Sequence, residues 1–309
     1  MGDVLVHMSP NSLINKDLLA KLERLEVAFR RAQRGRPEGE RSGPHHGGRI
    51  EFADYREYSP GDDFRHVDWN VLSRTDDLVV KQFEREEQYL VYLLLDRSAS
   101  MDFPHNGGRR GNSPTKLEYG AACLAALAYI GLAARHRVEM ASFGAGRCEW
   151  FPVGADKNRI FSLLDRLSGL RAAGDTSTAL ALKEAFERSR EQCLIVLISD
   201  LFDEGRSRGI LATLAAKGFD TSIIHVVSRE EVEPRARGRI ILRDAETGDA
   251  MPLRITDAAA ARYRRALRDF GEGWSAFCGT HDIRFLSTTT DVPFEDFIMK
   301  YLRRGGLVR

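Results

Sequence analysis

The sequence predicts an α/β fold: a doubly wound, mostly parallel sheet, preceded by a small β-rich module and interrupted late in the chain by an inserted β-hairpin. Three observations predict it. Apolar runs at Tyr89–Leu95, Val138–Phe143, Leu194–Ile198, Thr221–Val227 and Ile283–Leu286 are continuous rather than alternating, as in strands covered on both faces. They alternate with helical patterns at Thr115–Arg135, Asn158–Leu167, Thr178–Arg190, Arg206–Lys217, Asp257–Phe277 and Pro293–Arg303, the rhythm of a parallel sheet wrapped by crossover helices. A length of 309 residues accommodates one large domain with an added module.

Taken in order, residues 1–48 read as an amphipathic helix and a basic linker. Asp17–Gln33, DLLAKLERLEVAFRRAQ, sets Leu18, Leu19, Leu22, Leu25, Val27 and Phe29 at mostly helical spacing between charged positions. Arg34–Gly48, RGRPEGERSGPHHGG, loses that pattern to glycine, proline and charge and reads as a loop. From Arg30 to Arg49 there are six arginines against two glutamates. They attract phosphate, but no aromatic stacking platform accompanies them, so a solvated tether is expected rather than a nucleic-acid arm.

Residues 49–86 hold short aromatic and β-branched pieces parted by SPGDD and RTDD, where Pro60 sets φ and Gly61 takes the left-handed conformation. This is the small β-rich module. In its FRHVDWNVLSRT segment the expectation is a core packed by Trp69, with Asp62, Asp63, Arg65, Asp68 and Arg74 in turn and ion-pair contacts. The alternative for His66, Asp68 and Trp69 is a partner-docking face. Residues 87–309 form the α/β domain. Its first helix has two start signals, Ser113 before Pro114, or Thr115 with Glu118 as a capping box. Around 229–256, RGRIILRDAETGDAMPLRI breaks the strand–helix rhythm and reads as a β-hairpin turning at ETGD.

Composition narrows the function. The chain is 43% hydrophobic and 29% charged with a formal net charge of +1, so nothing global calls for nucleic acid or acidic lipid. Cys123, Cys148, Cys193 and Cys278 form no C-x-x-C pair, which fits structural thiols in a reducing cytoplasm. MGDVLVHMSPNSLINKD has no apolar run of signal-peptide length, and the apolar stretches fall short of the roughly 18 residues of a membrane span. A cytoplasmic protein without a membrane span is expected. Neither G-x-x-x-x-G-K-[ST] nor G-x-G-x-x-G occurs, so nucleotide chemistry belongs elsewhere.

The local chemistry lies at strand ends, where open parallel sheets bind ligands. YLVYLLLDRSASM brings Asp96, Ser98 and Ser100 to one such end, and CLIVLISDLFD brings Asp200, with Asp203 three residues beyond. Between them AAGDTSTALAL places Thr176 and Thr178 before an amphipathic helix, with Gly174 permitting a sharp turn. Singly these residues are ordinary helix caps. Jointly they offer only hard oxygen donors, which suit Mg²⁺, Mn²⁺ or Ca²⁺ rather than zinc.

D-x-S-x-S after the first apolar strand, a threonine in a Gly-containing loop and an aspartate ending a later strand resemble the metal-ion-dependent adhesion site of von Willebrand factor A domains. The matching positions are Asp96, Ser98, Ser100, Thr176 and Asp200. The resemblance implies a Rossmann-like sheet of von Willebrand A type. It also implies direct Mg²⁺ ligation by the two serines and the threonine, with the aspartates acting largely through water and a partner's carboxylate completing the shell. GRIEFADYREYSPGDDFRHVDWNVLSRTDDLVVKQFEREE before LLLDRSASM, together with RDAETGD and FIMKYLRRGGLV, is similar to the domain of unknown function 58 family, bacterial proteins often encoded beside MoxR-type AAA+ ATPases. This likeness spans roughly Gly48 to Val308. One departure is Asp175, where a second glycine is common.

A non-catalytic adaptor is therefore expected, capturing an Asp or Glu of a protein partner through Mg²⁺, the partner being a MoxR-type AAA+ ATPase or its client. The competing expectations are a metal-dependent phosphate-ester hydrolase and a structural domain with an empty site. Asp96 as a nucleophile lacks the second carboxylate two residues on, where Ser98 stands. Ser98 has no identified base for serine-hydrolase chemistry, and Arg97 is the basic side chain a hydrolase would draw on.

Overall fold

The computed structural model describes residues 50–304 except 60–62, 76, 86–88, 105–113, 190–192, 204, 235 and 237. The helix expected at Asp17–Gln33 and the linker at Arg34–Gly48 lie outside the described residues. Two compact units are present, one within Glu40–Gln88 and one containing Tyr89–Arg309.

In the small unit, β1 (Ile50–Glu57) pairs antiparallel with β2 (Val79–Arg85). Between them run a 3₁₀ turn, Phe64–His66, and the short helix α1, Trp69–Thr75. Asp68 starts α1: its Oδ1 accepts from the amides of Asn70 and Val71 at 3.0 and 3.4 Å, and its Oδ2 accepts from the Tyr55 hydroxyl at 3.0 Å. Val67 and Val80 are buried, but Trp69 is 59% exposed. The expectation that Trp69 packs a core is thus wrong. A two-stranded ribbon with one short helix has no opposing layer to cover an indole.

The larger unit is a six-stranded sheet in the order β10-β7-β6-β3-β4-β5. Its strands are β3 (Leu90–Asp96), β4 (Arg137–Gly144), β5 (Arg147–Gly154), β6 (Leu194–Ser199), β7 (Asp220–Val227) and β10 (Arg284–Thr289). All neighbours are parallel except the β4–β5 pair. The five expected strands are present, and β5 is an addition. Its RCEWFPV run mixes charge with apolar residues because it is an edge strand, half open to water.

Side-chain alternation along β3 divides the core into two. Val91, Leu93 and Leu95 pack under α2 (Lys116–Ala133), α3 (Ile160–Ser168) and α8 (Phe294–Arg303), while Tyr92 and Leu94 pack under α4 (Thr178–Arg188), α5 (Arg208–Ala216) and α7 (Asp257–Thr280). Each fully buried leucine contributes about 1.5–3 kcal/mol, so β3 is anchored from both faces. The chain leaves β3 for one face through α2 and leaves β6 for the other through α5. Their carboxyl ends therefore form the switch point at which such sheets open a crevice.

Of the two start signals for α2, the described one is Thr115. Its hydroxyl accepts from the Glu118 amide at 3.1 Å, and Glu118 Oε2 accepts from the Thr115 amide at 3.0 Å. Among the described residues α2 is the one helix long and apolar enough to cross a membrane, which corrects the expectation that no stretch reaches that length. Here 83% of that helix is buried inside the protein, as the core helix of an α/β domain is. After β7 comes a short helix, α6 (Arg229–Val232), and then the hairpin of β8 (Gly238–Arg243) and β9 (Ala250–Ile255), turning at the expected place.

Candidate metal centre

Asp96 is the last residue of β3 and is fully buried. Its Oδ1 accepts from the Ser98 amide at 2.8 Å and its Oδ2 from the Ser199 hydroxyl at 2.7 Å. That first bond curls the chain into a 3₁₀ turn, Ala99–Asp102, and brings the Ser98 and Ser100 hydroxyls to 3.1 Å from each other. Burial, and then the charge of Asp200, push the Asp96 carboxyl up to about 7 against the hydrogen bonds that favour its ionised form. Two buried carboxylates side by side disfavour each other's ionised form.

The threonine loop is stitched to this turn and to the β4–β5 turn through main-chain bonds. Ala173 N donates to Arg97 O at 2.8 Å, Ala99 N to Gly174 O at 2.8 Å, and Ala145 N to Asp175 O at 2.9 Å. Gly174 has φ +70°, and a Cβ there would lie 2.4 Å from the Ala145 Cβ, so the expected sharp turn does require glycine. Positive φ in these crossing loops falls on Gly174, on Ala145 (+53°) and on Gly146 (+67°), and not on Asp175. The departure at Asp175 therefore leaves this loop unstrained at that position.

Asp200 follows β6, buried beside Asp96, and Leu201 after it holds φ +61° although it is a branched residue. Its amide donates to Ser199 Oγ at 2.9 Å, which helps hold that costly conformation. Asp203 has a separate task. Its two oxygens accept from the amides of Gly205 and Ser207 at 3.0 and 3.1 Å, forming the turn into α5.

Besides Ser199, three participants escaped the sequence. Lys116, the first residue of α2, is fully buried, with its Nζ 2.7 Å from Asp200 Oδ2 and 2.6 Å from Glu231 Oε1 in α6. Burial works against its ammonium, but the charges of Asp200 and Glu231 outweigh it and the net shift is upward. It is a fixed positive charge. The third is Glu246, at the tip of the β8–β9 hairpin: its Oε1 accepts from the Thr176 hydroxyl at 2.9 Å and its Oε2 from the Thr176 amide at 3.4 Å. The signal for Glu246 was the ETGD turn itself, but partners 70 and 115 positions apart have no pattern in sequence.

The basic and nucleophilic groups nearest in sequence to these loops do not form a catalytic set. Arg97 Nη2 donates to Glu149 Oε1 at 3.0 Å, an ion pair with β5. Gly205–Gly209 spells G-R-S-R-G, but Ser207 is fully buried at the start of α5, where a nucleophile elbow would expose it. The four cysteines are free thiols, all but Cys148 buried.

As a donor set, the strand ends offer hydroxyls and two aspartates. Among the described residues no group of three or more His, Cys, Asp or Glu is placed to hold a metal, which argues against a zinc or carboxylate-rich cage. Hydroxyl oxygens backed by buried carboxylates fit a hard divalent ion. The residues present fit such an ion, with Lys116 as a competing internal cation.

Comparisons with known proteins add relatives at two levels. In sequence, the chain is 26% identical over 268 residues to the uncharacterized protein Rv1480 of Mycobacterium tuberculosis, covering 83% of this chain and 81% of that one. The uncharacterized protein Mb1516 of Mycobacterium bovis matches to the same extent. In structure, it is similar to the conserved hypothetical protein BatB from Bacteroides thetaiotaomicron, with a TM-score of 0.42 and 17% identity over 70% of this chain and 98% of that one. It is also similar to the SpRpn10 VWA domain, with a TM-score of 0.40 and 11% identity over 72% and 99%. The family described as "Protein of unknown function DUF58" matches residues 54–272. With most of its length covered by that match, the chain belongs to the DUF58 family.

Proposed function

We propose that this protein is a non-catalytic adaptor whose strand-end cluster holds Mg²⁺ and uses it to capture a carboxylate on a partner protein. A von Willebrand A-like architecture in a DUF58 protein supports an interaction role. Ser98, Ser100 and Thr176 would hold the ion directly, with Asp96 and Asp200 behind them; Mn²⁺ or Ca²⁺ suits the same oxygens. The ion would supply an electrophilic anchor. Neutral hydroxyls leave much of its charge for the incoming group, so binding energy is realised on docking. The observation that carries this reading is the burial of Asp96 beside Asp200 with the Ser98 and Ser100 hydroxyls 3.1 Å apart at the same strand end. By family resemblance the partner is a MoxR-type AAA+ ATPase or its client.

One observation favours a second reading. Lys116 already neutralises Asp200 from within, as in a structural domain that needs no metal. A Mg²⁺ and Mn²⁺ titration by calorimetry separates the two, paired with a pull-down of the ATPase with and without chelator. The adaptor reading expects chelator-sensitive capture that Ser98→Ala/Ser100→Ala abolishes. Absence of metal binding by the intact chain would leave the structural domain.

A further inference from the structure

The insertion between β7 and α7 meets the strand-end cluster at both of its ends. At its start, Glu231 holds Lys116, which holds Asp200. At its tip, Glu246 holds Thr176. The tip is built to present that carboxylate: Asp244 Oδ1 accepts from the amides of Glu246 and Thr247 at 2.8 and 2.9 Å. Gly248 closes the turn with φ +78°, its amide donating to Asp244 O at 3.0 Å. These bonds lie within the turn and ask nothing of the core.

The strands behind the tip are held far less firmly. Ile241 is 73% exposed, Met251 56% and Leu242 50%, so little apolar burial anchors them to the sheet. A segment with its own turn and few buried contacts opens at low cost.

We propose that Glu246 is the chain's own ligand for the metal site, delivered in cis by the hairpin to the position otherwise open to a partner's carboxylate. The proposal rests on the metal-dependent reading above. Thr176 Oγ1 has one proton and two lone pairs, so donating to Glu246 leaves it free to face a cation. An internal ligand acts at an effective concentration of the order of millimolar. An external carboxylate must then displace Glu246, and the hairpin sets the threshold for docking.

The test is a Mn²⁺ titration of the full chain and of Glu246→Gln, with hydrogen exchange across residues 238–255 in the presence and absence of the ion. Loss of even an outer-shell carboxylate weakens metal affinity about tenfold, so loss of a direct ligand in Glu246→Gln is expected to weaken Mn²⁺ binding by at least that much. Mn²⁺ is expected to slow exchange in the hairpin of the parent chain and not in the variant. Equal Mn²⁺ affinity in the two chains, or hairpin exchange indifferent to Mn²⁺, overturns the role of Glu246 and leaves the metal site standing. No Mn²⁺ binding by the parent chain sinks the metal site and the inference together. Glu246 sits on a turn outside the core, so matched thermal melts verify that the variant folds.

Discussion

β3 and β8 end in the same way and fare in opposite ways. Each carries a run of aliphatic residues towards an aspartate, directly into Asp96 in LLLD and across Arg243 to Asp244 in IILRD, and in both the aspartate accepts from the amide two residues on at 2.8 Å. The local hydrogen bond is shared, and burial is not. Asp96 is sealed under two layers of helices and its carboxyl is pushed up to about 7. Asp244 stands in water, where the amides of Thr247 and Glu246 draw its carboxyl below the usual range. A short motif settles a turn; the layers around it settle the cost of charge.

The buried side of this comparison breaks most easily. Lys116→Ala leaves Asp200 and Glu231 without their ammonium, and breaking a buried pair costs about 3–5 kcal/mol. Urea unfolding in chelator should show a loss of that size, and added Mn²⁺ should recover part of it if the ion takes over the compensation. A loss under about 1 kcal/mol would mean that water reaches the pair.

A smaller effect is expected at the opposite end of the sheet. Burial lowers the imidazole of His136, just ahead of β4, to about 4. The unfolded chain protonates near 6.5 while the folded one stays neutral. This contribution is therefore complete above about 6.5 and lost as pH falls towards 4, amounting to about 2–3 kcal/mol. Unfolding free energies at pH 7 and 4.5 should differ by less in His136→Gln than in the parent, and equal differences would place His136 in water.

The smallest change is expected at the exposed aspartate. Asp244→Ala removes a turn cap held by no core contact and should cost about 0.5–1 kcal/mol. Thermal melts measure it, and a cost near that of Lys116→Ala would show that the hairpin is coupled to the core after all.

The sheet was legible because its strands are buried on both faces: continuous aliphatic runs have few other fates, and Asp96, Ser98, Ser100 and Asp200 stand at or just after their ends, while Thr176 was found from the glycine loop before α4. Asp96, Ser98 and Ser100 are neighbours in the chain, so local turn chemistry brings them together. β5 escaped because an edge strand mixes charge with its apolar residues. Trp69 misled because an indole predicts burial only where a second layer exists.

By itself, the sequence determined the order of the five core strands and their crossover helices, the cap that starts α2, the glycine that the threonine loop requires, and the turn that carries Glu246. These depend on neighbours within about four residues, through backbone geometry and short hydrogen bonds. Only the tertiary structure decided that Lys116 neutralises Asp200 across 84 positions and that Glu246 reaches Thr176 across 70. Those contacts arise where the crossover helices and the hairpin return to one end of the sheet. Chain separation carries no trace of such meetings, because the core that enforces them is assembled from every strand at once.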